Sequence, residues 1–171
     1  MLNIHVNDDC LFIKNIDKTS IKKIYSIYTN SNDFKYATGI FQPIGYEQFA
    51  YNISQFINRE NVFFLHVRLH SGETIGLVKG TVINNSKLVW INSMVIDTPY
   101  QGRGYGKRVI SLLEEYFRSG SIAGRIYLSV FKPNTVGVNF WRKCGFTDCN
   151  QFPDRKTVKY NDTVQIMFKL L

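Results

Sequence analysis

"YQGRGYGKRV", residues Tyr100–Val109, places glycine at 102, 104 and 106 and interleaves Arg103, Lys107 and Arg108. Downstream, Val109, Leu112, Leu113, Tyr116 and Phe117 recur at the spacing of an amphipathic helix, with Gly120 at the C-cap position. Upstream, KLVWINSMVID (87–97) reads as a strand that Pro99 stops. Strand, glycine loop and helix in this order bring backbone N–H groups to the positive end of a helix. Such groups can wrap a phosphate as a nest, and glycines remove the Cβ atoms that would hold the anion away. A tight turn with a solvated basic face is the plainer alternative, although one glycine suffices for a turn. Spacing excludes two other phosphate loops. Gly106-Lys107 is followed by Arg108 and position 101 is Gln, so the Walker pattern and its Mg²⁺-binding hydroxyl are missing. The glycines run GxGxG rather than GxGxxG, and the strand before them ends a meander rather than a first βαβ unit.

Outward from this stretch the elements follow in order. Residues 9–16 read as a strand, and Asp17, Thr19 and Ser20 offer N-cap oxygens to a helix carrying Ile21, Ile24, Tyr25 and Tyr28. Residues 31–45 read as a loop and 46–58 as a second helix. Segments 62–69, 74–84 and 87–97 form a meander, with Gly76 and Gly80 marking a bulge or bend. IYLSVF (126–131) follows a helix, so it runs parallel to 87–97 through a crossover. Asn134 caps a helix over 135–144, and strands at 145–150 and 163–170 flank a polar loop. The expectation is one α+β domain over 1–171, a mixed central sheet of about six or seven strands flanked by about four helices.

Bulk properties narrow the function. The 171 residues are 44% apolar and 20% charged, ordinary globular values, and 15% aromatic. Lys and Arg number 21 against 13 acids, a formal charge of +8 that suits a polyphosphate ligand. No Lys/Arg run appears, so no specific nucleic acid is expected. No apolar run reaches membrane-spanning length, and MLNIHVNDDC lacks a signal pattern, so a cytoplasmic protein is expected. Cys10, Cys144 and Cys149 are an odd set without CxxC spacing, read as reduced thiols with no metal.

Four segments in register carry a family resemblance: QGRGYG (101–106), MVIDTPY (94–100), IYLSVFKPN (126–134) and GVNFWRKCGF (137–146). Together they resemble the GNAT (GCN5-related) N-acetyltransferases, over essentially the whole chain. The resemblance implies acetyl-CoA as co-substrate, no metal, and a monomer or homodimer. It implies that backbone amides of Gln101, Gly102, Arg103, Gly104, Tyr105 and Gly106 hold the pyrophosphate, with Lys107 adjoining. The pantetheine arm would enter a gap beside Met94 and Ile96, and the N–H of Val95 or Ile96 would polarise the thioester carbonyl. Asn134 matches the family's Asn near the pantetheine and equally reads as a helix cap. Lys132, Arg142 and Lys143 are either 3′-phosphate contacts or solvated surface.

The chain departs from the family in its proton chemistry. Trp141 stands where many members carry a Tyr assigned as general acid, and it reads instead as a ring packed on the cofactor. Tyr36, Tyr100 and Tyr160 are alternative hydroxyls. Trp90 stands where some members place a Glu, leaving Asn92 and Ser93 to order a water, unless they only follow strand alternation. The acceptor site maps to 31–49 and 148–162, where Asp33, Tyr36 and Glu47 suit an amine cation. Three functions are consistent with these residues: a small-molecule amine acetyltransferase, a protein N-terminal or lysine acetyltransferase, and a CoA-binding module with little catalysis.

Overall fold

The structure, a computed structural model, describes residues 1–17, 20–149 and 163–171. Among them the order is β1 (His5–Asn7), β2 (Leu11–Asn15), α1 (Ile21–Tyr28), α2 (Ser31–Thr38), α3 (Tyr46–Ile57), β3 (Val62–Leu69), β4 (Thr74–Ile83), β5 (Leu88–Ile96), α4 (Tyr105–Ser119), β6 (Arg125–Phe131), α5 (Thr135–Lys143), β7 (Thr147–Asp148) and β8 (Val164–Leu170). The strands form one mixed sheet in the order β1-β2-β3-β4-β5-β6-β8-β7. Every pairing is antiparallel except β5 with β6, which run parallel through the α4 crossover.

Two expectations need correction. The strand expected at 9–16 is split from an added one by Asp8, whose carboxylate accepts the N–H groups of Cys10 and Leu11 (2.8 and 2.9 Å). This Asx-type turn makes a β1–β2 hairpin, so eight strands stand where six or seven were expected. The loop expected at 31–45 begins with helix α2. The Asn30 side chain caps it by accepting the Asp33 N–H, and Gly39 closes it at φ +74°. Five α-helices therefore stand among the described residues.

The sheet buries both faces. On one side α4 and α5 cover a core that includes Phe63, Leu65, Val89, Ile91, Leu113 and Phe117. On the other, α1–α3 cover Phe64, Leu77 and Val95 with Ile24, Phe49 and Ile53. Each such buried side chain stabilises by about 1.5–3 kcal/mol. Behind the first core, Lys169 Nζ on β8 donates to both oxygens of the buried Glu114 on α4 (2.7 and 2.8 Å) and to the Cys144 carbonyl (2.8 Å).

A bulge decides what happens next to the glycine loop. Lys79 faces Ser93 but Gly80 faces Ile91, so Asn92 is the extra residue on β5. A Cβ on Gly80 would run into the Phe63 ring and the Trp90 carbonyl, so glycine lets the strands close at this point. The extra residue flips the alternation. Val89 and Ile91 face the α4 side, and beyond the bulge Met94 and Ile96 do so, while Val95 turns to the α1–α3 side. β5 also leaves β6 here. Their pairing runs from Leu88↔Arg125 to Ile91↔Leu128, while β5 stays on β4 to Ile96 and β6 stays on β8 to Phe131. A gap opens between the two parallel strands, aimed at the glycine loop.

Candidate active site

The loop after β5 is held from behind. The Asp97 N–H donates to the Ile75 carbonyl (2.8 Å), and its carboxylate accepts the Thr98 N–H (3.0 Å). Gln101 Nε2 donates to the Ile96 carbonyl (2.8 Å). Gly102 and Gly104 then take φ +73° and +83°, in the left-handed region, with nothing of the protein near their missing Cβ atoms. Gly104 caps α4, whose first backbone bond runs from the Arg108 N–H to the Gly104 carbonyl (3.1 Å). Among the described residues no acceptor meets the N–H groups of Gly102 through Lys107. Six consecutive N–H groups thus lead into a helix N-terminus without an acceptor among the described residues. Gly106 differs from the other two glycines. A Cβ there would lie 2.9 Å from the Phe140 ring, so this glycine serves the contact of α4 with α5.

The basic residues also divide. Arg108 Nη1 is 2.8 Å from Asp8 and 2.7 Å from Asp9, so its charge is taken up by the β1–β2 turn. That pairing holds the Asp9 carboxyl below its ordinary range and pushes the Arg108 guanidinium further up, Asp9 contributing most and Asp8 next. Asp8, Asp9 and Cys10 bring three possible ligand atoms within 4.8 Å of one another, with the guanidinium already on both carboxylates. Arg103 lies over the Tyr100 ring at 5.9 Å. Neither Arg103 nor Lys107 has a carboxylate partner among the described residues.

Ladder parity settles which β5 groups face the gap. Directly opposed residues of an antiparallel pair alternate between bonded and non-bonded. Asp97 bonds Ile75, so Val95 directs its backbone to Leu77 on β4, and Met94 and Ile96 direct theirs away from β4, into the gap. Val95 therefore offers the gap no N–H, and its side chain is buried in the α1–α3 core.

The opposite face is built from side chains. Leu77, Lys79 and Thr81 alternate onto the α1–α3 side of β4, beside Val95, Ser93 and, past the bulge, Asn92 and Trp90. Asn92 is exposed and accepts a hydrogen bond from the Thr81 hydroxyl (3.2 Å), whereas Ser93 is buried. Trp90 lies parallel to Tyr127 (centroids 6.1 Å apart, 5°), and Tyr127 stacks on Phe168 (5.6 Å, 22°). α2 packs on both β5 and β6 at the open end of the gap. Its Tyr36 ring stands 5.7 Å from Phe131 of β6 and 6.1 Å from Phe41. Its Asp33 carboxylate accepts from Thr98 Oγ1 (2.9 Å) and Asn30 Nδ2 (3.0 Å).

The model for the acetyltransferase (GNAT) family matches residues 21–146, most of the chain. The chain belongs to the GNAT family. Spermine/spermidine N(1)-acetyltransferase of Bacillus subtilis (strain 168) is 33% identical over 63 residues, which span 37% of this chain and 41% of that protein. Spermidine N-acetyltransferase from Vibrio cholerae, solved with CoA and spermine, superposes with a TM-score of 0.78 at 18% identity, over 95% of this chain and 96% of that one. The ribosomal L7/L12 alpha-N-protein acetyltransferase RimL, solved with coenzyme A, gives 0.81 at 13% identity over 98% of each.

The structure gives the expected site residues of this GNAT-family chain the following places. Trp141 is a core ring, 8% exposed, packed edge-on between Phe140 and Phe146 (5.0 and 5.1 Å). Asn134 is the cap of α5, accepting the Gly137 N–H at 3.0 Å, and the missing Cβ of Gly137 makes room for it. Arg142 is paired with Asp148 (3.2 Å). The Tyr100 hydroxyl donates to Glu73 (3.1 Å), and burial followed by Glu73 raises its pKa, which makes it a poor acid. Glu47 is exposed in the first turn of α3, where it complements the helix dipole, and it has no ion pair among the described residues. Tyr160, and the acceptor loop expected at 148–162 from residue 150 onward, lie outside the described residues. Phe41 falls in the stretch 31–49 expected for the acceptor, whereas Thr81, Lys79, Tyr127, Phe131 and Thr98 were not foreseen at the site. Plain alternation in TIGLVKGTVIN puts Lys79 and Thr81 on one face.

Proposed function

We propose that residues 1–171 form one domain that transfers the acetyl group of acetyl-CoA to the primary amine of a small molecule, by direct attack in a ternary complex. The observation that carries this reading is the run of N–H donors from Gly102 to Lys107 at the end of the β5–β6 gap. These donors would hold the pyrophosphate, with Lys107 and Arg103 adding charge. Met94 and Ile96 would bond the arm in the gap, and the Ile96 N–H is the fixed dipole facing the acetyl carbonyl. The amine nitrogen forms the new bond to the acetyl carbon, the carbon–sulfur bond breaks, and the amine proton passes to water. Asn92 is placed to orient that water. Trp141 supplies no acid, so the thiolate takes its proton from solvent. The acetylation of polyamines by the Bacillus and Vibrio relatives supports a small-molecule acceptor.

One observation favours a second reading, a protein N-terminus as acceptor. Phe41, Tyr46 and Tyr51 stand 49%, 38% and 61% exposed on the α2–α3 side. Thermal unfolding with CoA and acetyl-CoA, followed by thiol release across amines and peptides, tests both readings. Ligand at a hundred times its Kd stabilises by about 2.7 kcal/mol. No stabilisation by either cofactor overturns the proposal, and turnover confined to peptides selects the second reading. Among the described residues no helix is long and apolar enough to cross a membrane.

A further inference from the structure

We propose that Lys79 anchors an anionic group of the acceptor, so that the amine acetylated here also carries a carboxylate. This rests on the transferase reading above and narrows its substrate class. Lys79 lies on β4 directly opposite Ser93, on the face where the Thr81 hydroxyl bonds Asn92. Adjacent strands are about 4.8 Å apart, so its stem starts one strand from the β5 segment that borders the gap. The ammonium is 4.7 Å from the Phe56 ring and 5.4 Å from the Tyr28 ring, and it donates to the Tyr28 hydroxyl at 3.0 Å.

Rings and a hydroxyl fix a cation without neutralising it. An ammonium has three donors, and among the described residues only one is used and no carboxylate is in pairing range. Lys169 provides the contrast within this protein. It too is partly buried, and there both oxygens of Glu114 and a carbonyl meet its ammonium. Lys79 is held by two rings and a hydroxyl and, among the described residues, has two unused donors and no counter-ion. A fixed positive charge rooted one strand from the gap attracts a carboxylate, repels a second ammonium, and favours the neutral form of the reacting amine. The formal charge of +8 acts in the same sense, against a polycation.

The test compares acceptors of matched skeleton: α-amino acids and short peptides, their C-terminal amides, and diamines lacking the carboxylate. The wild type is expected to prefer the carboxylates at least tenfold in kcat/KM. Lys79→Met should lower kcat/KM for carboxylates at least tenfold and leave the amides within about twofold, with acetyl-CoA stabilisation unchanged. Lys79→Arg should recover part of the preference. Should Lys79→Met fail to fold, product inhibition of the wild type decides. N-acetyl amino acids should inhibit at least tenfold better than their amides. Amides or diamines used as well as carboxylates, no carboxylate acetylated, or an equal loss on both classes in Lys79→Met overturns the proposal. Absence of acetyl-CoA stabilisation in the wild type overturns the transferase reading itself, which separates the two failures.

Discussion

The loop Gln101–Gly104 and helix α2 flank the same end of β5, and they are ordered by opposite means. The loop presents main-chain N–H groups, set by two left-handed glycines and a helix N-terminus. α2 presents side chains, held by the Asn30 cap, the Asp33–Thr98 hydrogen bond and the contact of Tyr36 with Phe131. A backbone site tolerates few sequences, because φ above zero and a close approach admit little besides glycine. A side-chain site can be rebuilt from many residue sets on the same frame. The difference predicts that the donor side is sensitive to single backbone changes and that the acceptor side is tuned gradually.

The largest expected effect lies behind the donor side. The loop is rigid only if α4 is, and α4 is pinned to β8 by the buried Glu114–Lys169 pair. Glu114→Ala leaves an uncompensated ammonium and should cost about 3–5 kcal/mol of stability, lowering Tm by roughly 10 °C. Glu114→Leu combined with Lys169→Met should recover most of that loss. If the single variant unfolds within a degree of the wild type, the donor side does not depend on this pair.

Next comes the loop itself. Gly104→Val places a β-branched residue at φ +83°, where no protein atom crowds the added Cβ. The backbone must leave that conformation, so acetyl-CoA affinity should fall about a hundredfold, roughly 2.7 kcal/mol, while the fold persists. Gly106→Ala tests the other half of the contrast. It meets Phe140 and should cost unfolding stability before it costs affinity. Calorimetric titration and thermal unfolding of both variants separate the two roles, and equal behaviour would merge them.

This asymmetry also explains what could be read from the chain. The meander, the α4 crossover and the glycine loop between β5 and α4 were legible because glycine spacing and hydrophobic periodicity map directly onto backbone geometry. The gap was legible only through family resemblance, since its local cause is an extra residue, Asn92, that shifts parity without any change in composition. α2 was missed although Asn30, Asp33 and Gly39 cap both of its ends, because FKYATGIFQP lacks a regular apolar stripe. The packing of Trp141 between Phe140 and Phe146 was not legible, because an aromatic at that place suits core packing and ligand contact equally in the sequence.

The side-chain half also carries a titratable liability. His66 on β3 is fully shielded from solvent, edge-on to Phe12, and among the described residues neither ring nitrogen has a partner. Burial lowers its pKa from 6.5 to about 4, with Asp17 opposing and Lys14 and Arg68 assisting. The folded state therefore holds fewer protons than the unfolded one between these values, and stability falls as pH drops through that window. From pH 7 to pH 5 the loss should be about 1–2 kcal/mol. His66→Leu should flatten the Tm-against-pH curve in that interval. A curve that keeps its slope in the variant would assign the pH dependence to other groups.

The smallest effect is the one that links the two regions. Thr98 Oγ1 donates to Asp33 at 2.9 Å, joining the start of the donor loop to α2 across the surface. Both residues are exposed, so the bond is worth about 0.5–1.5 kcal/mol. Thr98→Val keeps the shape and removes the donor, and the Asn30–Asp33 cap of α2 survives it. Acetyl-CoA Kd and acceptor KM should both rise about two- to fivefold with kcat little changed, and Thr98→Ser should restore them. A change confined to one substrate would mean that the loop and α2 act separately. Asp33→Ala completes a double-mutant cycle. If the hydrogen bond couples donor and acceptor sides, the double variant loses no more acetyl-CoA affinity than Thr98→Val alone. If backbone and side-chain regions are independent, the two losses add.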